Sequence, residues 1–179
     1  DAITKAQGLT NDGEYFYFSG KTTLTKMALD GETTVIKKVA AIPVELTSKY
    51  NSNHLGGLSY YNGKIYAALE DNQFYKHPLI AVYDAETLEY TGKFFEVSNQ
   101  SHMAWCAVNS EDGLIYTSDW SNATQLNVYS VDSFEYVKTI ELSAPIDRVQ
   151  GAEFYKGTLY LSSDVKNDTK PILAIDVST

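Results

Sequence analysis

Three side chains pose the chemical question in this chain. His54 stands nine residues before Gly63, Arg148 nine before Gly157, and His102 eleven before Gly113. Two imidazoles and a guanidinium brought to one place would hold an anionic or polar ligand, because all three present N–H donors. Gln7, Trp105 and Gln150 lie just beyond them in the sequence and join the same candidate ligand-binding set. A second group, Glu70, Asp71, Asp119, Trp120 and Asp164, follows the strand after each glycine. Among these, Glu70, Asp119 and Asp164 are the candidates for a hard cation such as calcium, which prefers oxygen ligands. The plainer reading of all of them is that each satisfies its own loop backbone or meets water. His77, in "YKHP", reads as a solvated loop residue.

Sharper chemical signatures are missing. The sequence has no HExxH and no paired CxxC, so the common zinc patterns do not occur. It has no GxSxG nucleophile elbow, no EF-hand loop, no phosphate-binding loop and no dinucleotide fingerprint. The two glycines of "HLGGL" open a strand and not a helix, so close backbone packing explains them better than phosphate binding. The single cysteine, Cys106, beside Trp105, reads as an inert core thiol. Three sequons, at Asn99, Asn122 and Asn167, fall in loops and matter only for a chain secreted by a eukaryote.

The elements that must position these residues form a repeat. Turn glycines at 13, 63, 113 and 157 each follow a short strand and precede an aromatic-aliphatic one: "YFYF", "KIYAAL", "LIYTS" and "TLYLS". Asx-Gly pairs at three of these turns favour tight hairpins. A third strand and another turn follow, in "TKMALDGE", "IAVYDAETLEY", "LNVYSVDSFEY" and "ILAIDVST". A fourth strand completes three units: "TVIKKVAAI", "YTGKFFEV" and "YVKTIEL". Side chains alternate throughout, and no stretch shows sustained helical periodicity. Four antiparallel strands recurring at this period predict an all-β chain, a β-propeller of four-stranded blades at about residues 6–42, 54–97, 102–142 and 148–179. A β-sandwich is the alternative, but it does not require hairpins to recur in phase.

The aromatic second strand and the "YD" turn resemble blades of the broad bacterial propeller superfamily that includes YVTN-type, quinoprotein-like and gluconolactonase-like proteins. The resemblance covers nearly the whole chain and speaks to fold. Its gluconolactonase-like members imply a metal-dependent hydrolase or lactonase, with an axial metal held by Glu, Asn and Asp side chains. Glu70, Asp119, Glu153 and Asp164 are the matching residue types here, in blade registers that differ. A quinoprotein-like redox role would need cofactor-binding residues that the sequence does not display.

The fourth unit ends after its third strand, so the last blade is incomplete. Residues 1–6 leave little room to supply the missing strand. A partial ring within a larger protein is the preferred reading, beside a strained four-bladed closure and self-association through the last blade. Between the second and third strands, and between blades, the connections are long. Long loops on a rigid scaffold are where binding residues gather. The expected function is therefore a non-enzymatic binding or scaffold propeller that offers this loop face to a protein, peptide or glycan.

Composition narrows the partners. The 179 residues carry a net charge of −9, and the basic residues do not cluster, which disfavours nucleic acid and anionic membranes. No apolar run is long enough for a membrane span. A lone cysteine allows no internal disulfide and leaves the compartment open. The start at Asp1 without Met leaves room for a removed leader, and the reading leans to a secreted or periplasmic location.

Overall fold

A computed structural model describes residues 2–165 and 169–178. Four antiparallel sheets follow one another along the chain and stand around a common axis as the blades of a propeller. Blade 1 holds β1 (Gly8–Asn11), β2 (Tyr15–Ser19), β3 (Leu24–Ala28) and β4 (Thr34–Lys38). Blade 2 holds β5 (His54–Tyr61), β6 (Lys64–Glu70), β7 (Leu79–Asp84) and β8 (Tyr90–Glu96). Blade 3 holds β9 (Ala107–Asn109), β10 (Leu114–Thr117), β11 (Ala123–Ser130) and β12 (Tyr136–Ile146). Blade 4 has three strands, β13 (Val149–Tyr155), β14 (Thr158–Ser163) and β15 (Ile172–Asp176). The third sequon begins at Asn167, outside the described residues.

The four turn glycines all have positive φ, but their turns differ. Asn62-Gly63 and Lys156-Gly157 are two-residue hairpins in which both positions are left-handed. At Asp12 and Asp112 the turns are wider, and a carboxylate does what the second left-handed residue would do. Asp12 Oδ1 accepts the Glu14 and Tyr15 N–H groups at 2.8 and 2.7 Å. Asp112 Oδ1 accepts the Leu114 N–H at 2.9 Å. One connection also departs from expectation. The loop between blades 1 and 2 contains α1 (Val44–Tyr50), opened by Pro43 and closed by Asn51 at φ 54. Seven residues with one buried side chain, Leu46, leave too little periodicity to reveal a helix.

Blades pack face to face, so strands in the middle of the stack are buried on both sides. β6 is buried at every position after Lys64, which erases the alternation of a one-sided strand. Three apolar seams result. Tyr17 and Leu24 meet Leu55, Ile65 and Tyr83 between blades 1 and 2. Ile80 and Val82 meet Met103, Cys106 and Ile115 between blades 2 and 3. Trp105, Tyr116 and Leu126 meet Val149, Leu159 and Leu161 between blades 3 and 4. Among the described residues no such core joins blade 4 to blade 1.

Near the axis that fourth seam closes through polar groups instead. The Tyr60 N–H donates to Thr10 Oγ1 at 3.0 Å, and the Thr10 hydroxyl donates to Glu153 Oε2 at 2.9 Å, tying blades 2, 1 and 4 together. At the other seams glycines allow the inner strands to approach closely. A Cβ on Gly56 would lie 2.3 Å from the Ala104 carbonyl oxygen, and one on Gly8 would lie 2.7 Å from the Gly56 carbonyl oxygen. Ala2–Lys5 forms a 3-10 turn against blade 1 and does not pair with β15, and among the described residues the fourth blade has three strands.

Candidate functional site at the axial mouth

All four blades send residues to one pocket of about 210 Å³ on the face carrying the long loops. Gln7 comes from the entry to blade 1, and Gln150 from β13. His54 opens β5, and Glu70 closes the paired strand β6 directly opposite it. His102 and Trp120 come from the loops on either side of the β9–β10 hairpin, and Asn72 and Tyr75 from the loop after β6.

Glu70 is the centre of the arrangement. It is 5% exposed, and a buried carboxylate requires compensation. Its Oε2 accepts the Met103 N–H at 2.8 Å. Its Oε1 lies 3.3 Å from His54 Nδ1, and its Oε2 lies 3.6 Å from His102 Nδ1. One carboxyl group thus faces the same ring nitrogen of two histidines from different blades. His54 Nδ1 is within hydrogen-bond distance of the carboxylate and His102 Nδ1 lies just beyond it, so the two rings turn the same edge toward Glu70.

Further groups hold His102 in place. Its backbone N–H donates to Asp119 Oδ1 at 2.9 Å, as does that of Ser101 at 3.1 Å. Gln100, buried in the loop before it, donates to the carbonyls of His102 and Ser118, each at 2.8 Å, and accepts from Asn127 at 2.9 Å. The His102 ring lies against Tyr75, centroids 4.0 Å apart, and faces Trp120 at 5.8 Å. Tyr75 is left-handed at φ 51 and is placed by Asp71, whose Oδ1 accepts the Gln73 and Phe74 N–H groups at 2.9 and 3.0 Å. Burial alone would raise the Asp71 carboxyl, but these bonds and the Asn51 amide outweigh it and hold the group below the usual carboxylate range.

The remaining candidates fall elsewhere. Arg148 is at the rim but is engaged. Its Nε donates to Asp164 Oδ1 at 2.7 Å and its Nη2 to Oδ2 at 3.1 Å, while the guanidinium covers the Trp120 ring at 4.4 Å. Arg148 therefore backs Trp120 and does not line the pocket. Gln150 donates to the same Asp164 carboxylate at 2.9 Å. Trp105 is not at the mouth: it is fully buried between blades 3 and 4 and donates its Nε1–H to Ser118 Oγ at 3.2 Å. On the segment leading into β9, with a blade on either side, the largest apolar ring goes to the seam. His77 pairs with Glu96 at 3.0 Å on the outer loops.

The three carboxylates read as cation ligands do not converge. Glu70 serves two imidazoles, Asp119 caps a loop, and Asp164 pairs with Arg148. Among the described residues no group of three or more His, Cys, Asp or Glu side chains is disposed to hold a metal ion. Two partners of the site, Tyr75 and Gln100, escape sequence reading. Their placement depends on a left-handed loop residue and on an amide inside a sequon, neither of which has a periodic signature. Asp71 at the head of "DNQF", a side chain suited to cap the amides two and three residues on, is the one local signal for the Tyr75 loop.

No protein-family model and no characterised protein matches the sequence. Solved structures match by shape. Glutaminyl cyclase of Myxococcus xanthus superposes with a TM-score of 0.70 at 18% identity, over 97% of this chain and 66% of that one. Hydrazine synthase of Kuenenia stuttgartiensis gives 0.63 at 12% identity, over 99% and 47%. A chain of the nidogen/laminin complex gives 0.64 at 11% identity, over 94% and 57%. At such identities the likeness is one of fold, and it supports the propeller. The chain spans less than two thirds of the length of each of these three proteins.

Proposed function

We propose that this propeller is a binding module whose axial mouth anchors one polar group of a larger protein, peptide or glycan ligand. The observation that carries the reading is the Glu70-centred pair of imidazoles in a pocket of about 210 Å³. Sites that enclose a whole small molecule run to roughly 300–1,000 Å³. A cavity below that range takes a chain end, a side chain or one sugar edge, and leaves the rest of the ligand on the loops. Tyr75 and Trp120 supply flat walls, and the Gln7 and Gln150 amides and the imidazoles supply hydrogen bonds.

The test is a titration with peptide and glycan libraries, read by long-range nitrogen correlation spectra of His54 and His102. A ligand of this site shifts both ring signals. Glu70→Gln removes a charge-assisted orientation of both rings, worth about 1.5–3 kcal/mol, so affinity falls roughly 10–100-fold. A ligand that binds the loop face and leaves both rings unmoved refutes the reading.

A second reading, catalysis in the same pocket, draws on one specific feature. A buried carboxylate that orients imidazoles is a general acid–base arrangement. The likeness to a glutaminyl cyclase suggests a glutaminyl peptide as first substrate to try, and the sequence resemblance suggests a simple lactone. Turnover of either that disappears in Glu70→Gln would favour it over binding alone.

A further inference from the structure

Resting on the reading of the axial mouth as a binding site, we infer that the polar group it takes is a cation, the ammonium of a lysine or the guanidinium of an arginine. The partner is then a basic segment of a peptide or protein. The sign of the charge follows from what the pocket walls still offer once their bonds within the protein are made.

The lining contains one carboxylate, Glu70, and no lysine or arginine. Basic side chains on the same face are engaged elsewhere. Arg148 is held by both oxygens of Asp164. Lys76 lies over the Phe74 ring at 5.8 Å and Lys49 over the Tyr50 ring at 5.2 Å. Lys170 donates to the Val165 carbonyl at 2.8 Å. Two more carboxylates stand behind the walls. Asp71 shapes the loop that carries Tyr75, and Asp119 caps the loop that carries His102. An anion entering here meets Glu70 with no ammonium or guanidinium to offset it. A cation meets a carboxylate in a partly enclosed site, where salt screens the pair less than on open surface.

The hydrogen-bonding groups point the same way. At about pH 8 imidazole is ordinarily uncharged, and a neutral ring that turns an Nδ1–H toward a carboxylate presents the lone pair of Nε2 on its other edge. His54 Nδ1 lies 3.3 Å from Glu70 Oε1. Gln150 directs its amide NH2 at Asp164, which leaves its carbonyl oxygen for a ligand. Lysine and arginine bring donors and no acceptor, so they complement walls of this kind. The aromatic walls add to the preference. The Arg148 guanidinium already lies over the Trp120 ring at 4.4 Å, so the chain itself uses this indole as a seat for a cation. Tyr75 supplies a second ring to the same pocket. The net charge of −9 draws a basic segment toward the molecule as a whole.

The test uses blocked pentapeptides with a central lysine, arginine, acetyl-lysine or glutamate, and a neutral oligosaccharide. Each is titrated into the whole chain at about pH 8 and read by the ring-nitrogen signals of His54 and His102. The lysine and arginine peptides should bind at least about tenfold more tightly than the acetyl-lysine peptide, and the gap should narrow as salt is raised. Glu70→Gln should bring that ratio close to one. A carboxylate that only orients the rings would weaken both peptides alike and leave the ratio unchanged, which would overturn the inference. Tyr75→Leu serves if the Glu70 variant does not fold, and should lower the ratio about threefold by removing one ring. A glycine peptide with a free N-terminus that binds as tightly as the lysine peptide would overturn the assignment to a side chain. Acetyl-lysine, glutamate or the oligosaccharide moving both rings at concentrations as low as lysine does would overturn the inference and leave the binding reading standing. If no probe moves the rings, both fall.

Discussion

Glu153 offers the most quantitative test of how this ring is closed. Its carboxyl lies beside the axis at the seam that has no apolar core, and it accepts the Thr10 hydroxyl at 2.9 Å. Burial pushes its pKa from 4.5 up to about 7, against the opposing effect of the Thr10 hydroxyl and the Phe154 N–H. In the unfolded chain the group ionises near 4.5, while in the folded chain it stays protonated to about 7. Across that window the native state holds the extra proton, so stability is complete at the acid end and falls as pH rises through 7. At about 1.4 kcal/mol per pH unit the loss amounts to about 3 kcal/mol. Glu153→Gln keeps an acceptor for Thr10 and removes the titration. The variant should match the wild type near pH 4.5 and exceed it by about 3 kcal/mol at pH 8, a rise of roughly 5–10 °C in Tm for a domain of this size. Urea unfolding of both proteins at a series of pH values measures the gap. Two parallel pH profiles would show that Glu153 is solvated and that the clasp with Thr10 is not closed to water.

Two further outcomes follow from the packing. Gly56→Ala places a Cβ 2.3 Å from a backbone oxygen of blade 3, which cannot move aside as a side chain would, and should cost about 2–3 kcal/mol in urea unfolding; a loss under about 0.5 kcal/mol would mean the inner strands are not in contact there. Cys106 is fully buried, its thiol donates to the Tyr66 carbonyl at 3.5 Å, and burial pushes its pKa far above the ordinary thiol value. It should resist a thiol reagent in native protein and react fully in guanidinium chloride, and rapid native labelling would contradict its place in the seam between blades 2 and 3.

The repeat was legible because hairpin turns impose local rules. Gly63 and Gly157 stand where a two-residue turn requires left-handed backbone, and the aromatic strand after each marks a packed inner element. The candidate mouth was partly legible for a related reason. His54 and Glu70 face one another because they are the two ends of one hairpin, a relation that register alone fixes. Trp105, expected at the mouth, lies in the seam because closeness to His102 along the segment leading into β9 says how near a residue is to the mouth, but not which way its side chain points. With blades on both sides of β6 and β9, polarity no longer alternates, and the cue that separates axis from seam is lost. Arg148, expected among the ligand-binding residues, is engaged by Asp164 and lies over Trp120 beside a left-handed backbone at φ 54, a partnership no sequence pattern announces.

The seams divide the candidate site into two mechanical halves. His54, Glu70, His102, Tyr75 and Trp120 come from blades 2 and 3, which share the core around Ile80, Met103 and Ile115. That half of the pocket inherits the rigidity of a dry, close-packed interior. Gln7 and Gln150 come from the blades on either side of the coreless seam, and near the axis those blades are held by the Thr10–Glu153 bond. One hydrogen bond contributes on the order of 1 kcal/mol, whereas a packed seam of several buried side chains contributes many times that. Fluctuations of the ring therefore concentrate between blades 4 and 1. Hydrogen exchange is therefore expected to be faster in β1 and β13, on the glutamine side of the pocket, than in β6 and β7, on the imidazole side. If the pocket is the binding site proposed above, the histidine pair would set what is recognised and the weak seam how readily a ligand enters, and softening that seam with Thr10→Val should raise the association rate more than it changes the affinity.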